Sequence, residues 1–246
     1  MHTEKKTHNS LPCFKRGNLS EMVFEVLRER ILDGMYETDK LMPTQEVLAK
    51  EMGVSRTVLR EAFNKLSSLG LIRSYQGRGT IVQTPDMAVV MRPMLAAFKL
   101  DAAITIELME TRYALEASVA RLAAKNSNAE QVGQLRQIID AMEEATKNQE
   151  ITAIAEADYA FHMKLAEISK NRVLKQIIEV IREILGTFLE NINQPRGTAE
   201  RAVDYHRKIC DAVERKELDS AEQLMREHMM DVLNTLRAEY QIEVEI

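Results

Sequence analysis

Residues 53–72 read Gly53-Val54-Ser55-Arg56-Thr57-Val58-Leu59-Arg60-Glu61-Ala62-Phe63-Asn64-Lys65-Leu66-Ser67-Ser68-Leu69-Gly70-Leu71-Ile72, and this stretch decides the architecture of the N-terminal third. Ser55 is a helix-capping residue type, Val58, Leu59, Ala62, Phe63 and Leu66 recur at helical spacing, and Gly70 is a helix stop. A helix over 55–69 follows. Upstream, Thr44 to Met52 reads as a short helix with Val47, Leu48 and Met52 inward, separated from the next only by Gly53-Val54. Before it, Leu19 to Asp33 reads as an amphipathic helix with Met22, Val23, Val26, Leu27, Arg30 and Ile31 on one face; Asn18 with Glu21 is a candidate capping box, and Gly34 a stop. Downstream, Leu71 to Ser74 and Thr80 to Gln83 flank Tyr75-Gln76-Gly77-Arg78-Gly79, a β-hairpin pattern.

Three helices followed by a small hairpin is the order of a winged helix-turn-helix, whose third helix lies in the major groove of duplex DNA. The chemistry on that helix suits the role. Arg56 and Arg60 can each present a bidentate fork to a guanine edge or a phosphate, while Ser55, Thr57 and the free amides of the helix start suit phosphate oxygens. Thr44 opens the second helix in the same way. Gly77 and Arg78 sit at the tip of a thin hairpin able to enter a minor groove. One such arginine on its own is ordinarily a solvated residue; the order of elements around them makes the argument. Charge points the same way, weakly: residues 1–84 carry 13 Lys+Arg against 10 Asp+Glu, and the remainder 20 against 28.

From Thr84 to the C-terminus no strand pattern occurs. A short helix over 86–98, with Pro85 at its first position, is followed by helices over about 101–125, 128–148, 150–169, 171–193, 197–215 and 217–241. The separators are two to four residues long, which implies antiparallel neighbours in a helical bundle. The expected division is a flexible tail over 1–18, a winged helix over 19–83, a linker and short helix over 84–100, and a helical effector-binding and dimerisation domain over 101–241. The fold class is mainly α. The first residues lack a signal peptide's apolar core and no stretch approaches a membrane span. Cys13 and Cys210 form no disulfide framework, so a reducing cytoplasm is expected.

The polar groups of the second half carry the other signal. His162, His206 and His228 all lie on apolar stripes of different helices, and Asp158 precedes His162 by one turn on the same face. A single histidine so placed is more often a satisfied core residue than a ligand. Three on three helices, with an aspartate at ligand spacing, favour convergence on one divalent metal. The donor set accepts zinc, nickel, manganese or iron, with zinc the first candidate. Arg112 occupies the stripe of Ile104, Leu108, Leu115, Val119 and Leu122. A buried guanidinium needs an anion. Glu116 one turn on provides a structural ion pair; the alternative is a cavity in which Arg112 forks onto the carboxylate of a ligand that also reaches the metal.

Residues 19–83 resemble the GntR family of transcriptional regulators, in Leu41-Met42-Pro43-Thr44, Leu48-Ala49, Gly53-Val54-Ser55-Arg56-Thr57, Leu59-Arg60-Glu61-Ala62, Leu69-Gly70-Leu71-Ile72 and Gly77-Arg78-Gly79-Thr80. The resemblance implies that Arg56, Thr57, Arg60 and the wing contact DNA. One departure stands out: the second helix opens Thr44-Gln45-Glu46-Val47 where the family usually has Ser-Glu-Arg-Glu, which places an acid at Glu46 in a usually basic position. Residues 101–237 resemble the FCD effector domain of the FadR-like branch, in Glu110-Thr111-Arg112, Leu115-Glu116, Asp158, Phe161-His162, Leu165-Ala166, Asn171, His206 and His228. That resemblance implies a metal-centred pocket for a small carboxylate such as a sugar acid or hydroxy acid, and a homodimer on a pseudo-palindromic operator. The expected function is a metabolite-responsive repressor, not an enzyme. A metal sensor without an organic effector and a metalloenzyme-like helical domain fused to a DNA-binding module are the competing readings.

Overall fold

In the computed structural model the residues described are 19–84, 86–96, 101–189 and 197–240; the expected tail over 1–18, the Asn18 cap, Pro85, the ends of the helices read to 98, 193 and 241, and the 194–196 separator lie outside them. The chain divides into two units, one up to Pro85 and one from Asp86. The mainly helical architecture expected from the periodicity is what the chain adopts.

The first unit contains α1 (Leu19–Leu32), α2 (Gln45–Glu51), α3 (Arg56–Ser68), β1 (Ile72–Tyr75) and β2 (Gly79–Val82). Thr44 and Ser55 cap α2 and α3: their hydroxyl oxygens accept from the Val47 amide at 3.3 Å and the Val58 amide at 3.2 Å. The strands pair antiparallel with Ile72 opposite Val82 and Tyr75 opposite Gly79, and the Ser74 and Thr80 hydroxyls meet across them at 2.8 Å. Gly77 and Gly79 both have positive φ, as this tight turn requires. Leu27, Leu48, Leu59, Ala62, Phe63, Leu66, Ile72 and Val82 form one small core. The inward face of α1 differs from the sequence reading. Val23, Phe24, Leu27 and Ile31 are buried, while Met22 and Val26 are exposed. Helical spacing alone admits either face, and Phe24 has the larger apolar area to remove from water. On α2, Leu48 and Ala49 are buried and Val47 faces out.

The second unit contains α4 (Met87–Ala96), α5 (Ala102–Asn126), α6 (Ala129–Asn148), α7 (Ile151–Ile168), α8 (Arg172–Leu189), α9 (Thr198–Glu214) and α10 (Leu218–Tyr240). Asp101 and Asn128 cap α5 and α6, the latter through a full capping box with Gln131. Gln149, Lys170 and Lys216 turn the chain between helices at positive φ although none is a glycine. Such a left-handed residue lets the last carbonyls of a helix be satisfied, at a modest steric cost for a side chain unbranched at Cβ. α10 packs along α5, α6 packs on α7 and α9, and α4 packs on α8, where Arg92 forks onto Glu183 through two 2.7 Å bonds. Met109, Val119, Leu135, Phe161, Leu165, Ile178, Ile209, Cys210, Met225 and Met229 are among the buried residues of a single core. On α5 the innermost line runs Thr105, Met109, Arg112, Glu116, Val119 and Ala123, so two opposite charges lie one turn apart inside the bundle. Ile104, Leu108, Leu115 and Leu122, expected on that line, flank it half-buried. No helix among the described residues is long and apolar enough to cross a membrane.

Candidate metal centre and nucleic-acid interface

Arg56, Thr57 and Arg60 are exposed on the first turns of α3, and Gly77 and Arg78 are exposed at the hairpin tip. Val58 and Leu59 turn inward between them, because a helix that buries one stripe must show the other. The Thr44 and Ser55 oxygens are occupied as acceptors by their helix amides, which leaves each O–H free to donate to a phosphate. The acid at Glu46 has a definite partner: its carboxylate accepts a charge-assisted hydrogen bond from the Arg56 guanidinium, joining the starts of α2 and α3. Both side chains are 71% exposed, so the pair adds little to stability. It does occupy one of the two exposed arginines at the start of α3. Glu46→Gln is expected to release Arg56 and remove a charge that repels phosphate. DNA affinity should rise several-fold at low salt, and the slope of log affinity against log salt should steepen by about 0.9, the value for one more neutralised phosphate. An unchanged slope in a fluorescence-anisotropy salt series refutes that role.

In the helical unit, the ligand atoms of Asp158, His162, His206 and His228 all lie within 4.8 Å of one another. α7 supplies Asp158 and His162 from one face, α9 supplies His206 and α10 supplies His228. The Nε2 atoms of His206 and His228 are 3.2 Å apart, and those of His228 and His162 are 3.4 Å apart. Asp158 Oδ1 lies 3.6 Å from Nε2 of both His162 and His206. Nitrogens bound to one ion at about 2.1 Å stand roughly 3.0–3.4 Å apart in octahedral or tetrahedral geometry, so the spacing suits a first-row divalent cation. All three imidazoles are buried, whereas the Asp158 side chain is 30% exposed, so the centre opens to solvent at the aspartate.

The electrostatics favour lone pairs over protons. Burial, with the neighbouring His228 and His162 imidazoles, holds His206 well below the ordinary histidine value. Burial and His162 push His228 down to about 3. Asp158 is held well below the usual carboxylate range by the adjacent Arg182, His162 and His206, against the opposing effect of burial. His206 and His228 therefore present neutral nitrogens, and Asp158 an anionic oxygen, at neutral pH. The donor set fits a divalent metal.

Around this centre the structure adds two groups. Glu116 accepts from Arg112 Nε at 2.6 Å and, through its other oxygen, pairs with His162 Nδ1, which orients that ring with Nε2 toward the cluster. Burial opposes its ionisation, but Arg112 and His162 hold it below the usual carboxylate range. Arg112 thus has the ion pair that its one-turn spacing from Glu116 allowed. Among the described residues its Nη atoms meet thioether sulfurs alone, Met109 at 3.5 Å and Met229 at 4.0 Å. The second group is Arg182, which donates from Nη2 to Asp158 Oδ2 at 2.6 Å. Sequence reasoning passed over it, although its position on the buried line of Ile178, Ile181 and Leu185 on α8 was a signal of the same kind as Arg112. Among the described residues His206 and His228 find no partner at Nδ1, and Phe161 stacks on the His206 ring at 3.9 Å between centroids.

Residues 19–82 match the gntR family of bacterial regulatory proteins, and residues 107–231 match the FCD domain. The HTH-type transcriptional regulator LutR of Bacillus subtilis is 31% identical over 217 residues, covering 84% of this chain and 95% of that protein. The putative L-lactate dehydrogenase operon regulatory protein of Escherichia coli is 28% identical over 227 residues, covering 89% and 86%. Among solved structures, a Streptococcus agalactiae GntR protein superimposes with a TM-score of 0.72 over 87% of this chain and 99% of that one, at 24% identity, which speaks for the fold. These relatives are transcriptional regulators, not enzymes. With a winged helix-turn-helix that matches the gntR family in one unit and an FCD domain in the other, the chain belongs to the GntR family as a DNA-binding transcriptional regulator of the GntR/FCD type.

Proposed function

We propose that the FCD unit holds a divalent metal, zinc first among the candidates, on Asp158, His162, His206 and His228, and that it takes a small carboxylate as the signal. The observation that carries this reading is the convergence of three buried imidazole nitrogens and one carboxylate oxygen on a common point. A cation held there would supply positive charge for a ligand oxygen. Arg112 keeps Nη donors that no strong acceptor among the described residues takes, in keeping with a contact to an anionic ligand. The relative named for an L-lactate dehydrogenase operon lends support to a hydroxy acid as the ligand class.

At the other end, Arg56, Thr57 and Arg60, with Thr44, Ser55 and the Gly77-Arg78 tip, would contact operator DNA. One such unit reads a single major-groove face, so a pseudo-palindromic site calls for a homodimer. The simplest regulatory form is a repressor whose operator affinity changes when the carboxylate binds, through a difference in ligand affinity between two states. The two functions should separate by mutation. On a duplex selected by the wild-type protein from a random pool, Arg60→Ala and Arg56→Ala should each weaken binding at least tenfold, about 1.4 kcal/mol or more, with bound metal unchanged. Wild-type affinity for Arg60→Ala in a gel-shift titration sinks the assignment of α3.

A further inference from the structure

We propose that Arg182 is a second guanidinium anchor for the carboxylate ligand of the FCD unit, placed beside Asp158 where the cation seat opens to solvent. The proposal rests on the metal-and-carboxylate reading above. Its starting point is an unsatisfied donor. The Arg182 side chain is 7% exposed, yet among the described residues only Nη2 has a hydrogen-bond partner, Asp158 Oδ2, and Nε and Nη1 have none. The next acid, Glu116, has its Oε1 atom 3.9 Å from Nη1 and already accepts from Arg112 and pairs with His162. The Tyr159 ring lies 5.4 Å from the guanidinium carbon. Buried donors without acceptors are rare because their lost hydration is not replaced, so this pair of nitrogens calls for an acceptor from outside the fold.

The geometry says where that acceptor lies. Asp158 places Oδ2 on Arg182 and Oδ1 3.6 Å from the Nε2 atoms of His162 and His206. One carboxylate therefore spans the distance from the guanidinium to the cation seat, and a ligand carboxylate lying beside Asp158 reaches both in the same way. Access is from this side, since Asp158 is the exposed member of the cluster. Charge balance selects an anion. Arg112 with Glu116 and Arg182 with Asp158 cancel in pairs, so a divalent ion held through imidazole lone pairs would leave two positive charges in a buried place. The planar fork of arginine then favours a carboxylate over a spherical anion.

The test uses the full-length chain loaded with Co²⁺, whose visible absorption reports on its coordination, with acetate as the probe. Acetate should change the wild-type spectrum saturably. Arg182→Gln should raise the acetate dissociation constant about ten- to a hundredfold, as expected for lost hydrogen bonds to a charged group, and Arg182→Lys, which keeps a cation beside Asp158, should fall between. The lysine variant carries the comparison if the glutamine variant fails to fold. Wild-type acetate affinity in the substituted proteins, or a Co²⁺-loaded wild type indifferent to acetate, overturns the role of Arg182 and leaves the cation seat standing. Failure to take up Co²⁺ at all removes the cation seat and the proposal together, and the absence of the cobalt bands distinguishes that result.

Discussion

Glu116→Ala should destabilise the metal-free protein by about 3–5 kcal/mol, the cost of breaking a buried ion pair by deleting one partner. The Arg112 guanidinium would remain 7% exposed with only the Met109 and Met229 sulfurs at hand, and the His162 ring would lose the acceptor that orients it. The comparison is urea unfolding with chelator present in every sample, so that a change in metal affinity does not enter. The paired replacement Arg112→Met with Glu116→Leu should recover most of the loss, because it removes both charges and keeps the volume. Glu116→Ala within about 1 kcal/mol of wild type would mean that solvent reaches Arg112. The pH dependence follows from the same pair. The folded-state value of Glu116 lies below its ordinary 4.5, so the unfolded chain binds the proton more readily. Its contribution is complete above pH 4.5 and is lost as pH falls below that value.

A second large effect is expected at His206. His206→Ala leaves three donors of four, and cation affinity should fall at least about a hundredfold, since loss of outer partners alone costs ten- to a hundredfold. Competition with a chromophoric chelator measures it. The thermal readout is independent. A site filled at about a hundred times its dissociation constant adds ~2.7 kcal/mol, or roughly 5–10 °C in melting temperature for a unit of this size. Chelation should lower the wild-type midpoint by that amount and leave His206→Ala unmoved, while the DNA affinity of the variant without effector stays within twofold. A wild-type midpoint indifferent to chelator would argue that the three imidazoles are ordinary core residues.

Much of the architecture was legible because helical periodicity and capping are local. Thr44, Ser55, Asp101 and Asn128 cap the helices they precede, and each is a residue whose oxygen reaches an amide two or three positions on. The four clustered residues were legible for a related reason: polar groups at core positions need partners, and few combinations of partners exist. Facing was less legible. Met22 and Val26 have the right spacing for the core of the first unit, yet Phe24 takes the inward place, because the neighbouring helix and hairpin decide which stripe is covered. Glu46 shows the same limit. In the sequence it stood out as an acid in a usually basic position, and the fold brings it to Arg56, ten residues away, through the turn between α2 and α3.

From the order of residues alone came the winged helix followed by a helical bundle, the exposed arginines of α3, and the identity of the three histidines and one aspartate as a set. These depend on spacing along a single helix or on the rule that buried polar groups pair. Only the tertiary structure decided that Glu116 serves Arg112 and His162 at once, and that Arg182 from α8 grips Asp158 with donors to spare. The contacts of Glu116 with His162 and of Arg182 with Asp158 join residues 46 and 24 positions apart on different helices, so their pairing is set by how the helices cross, which no local pattern encodes.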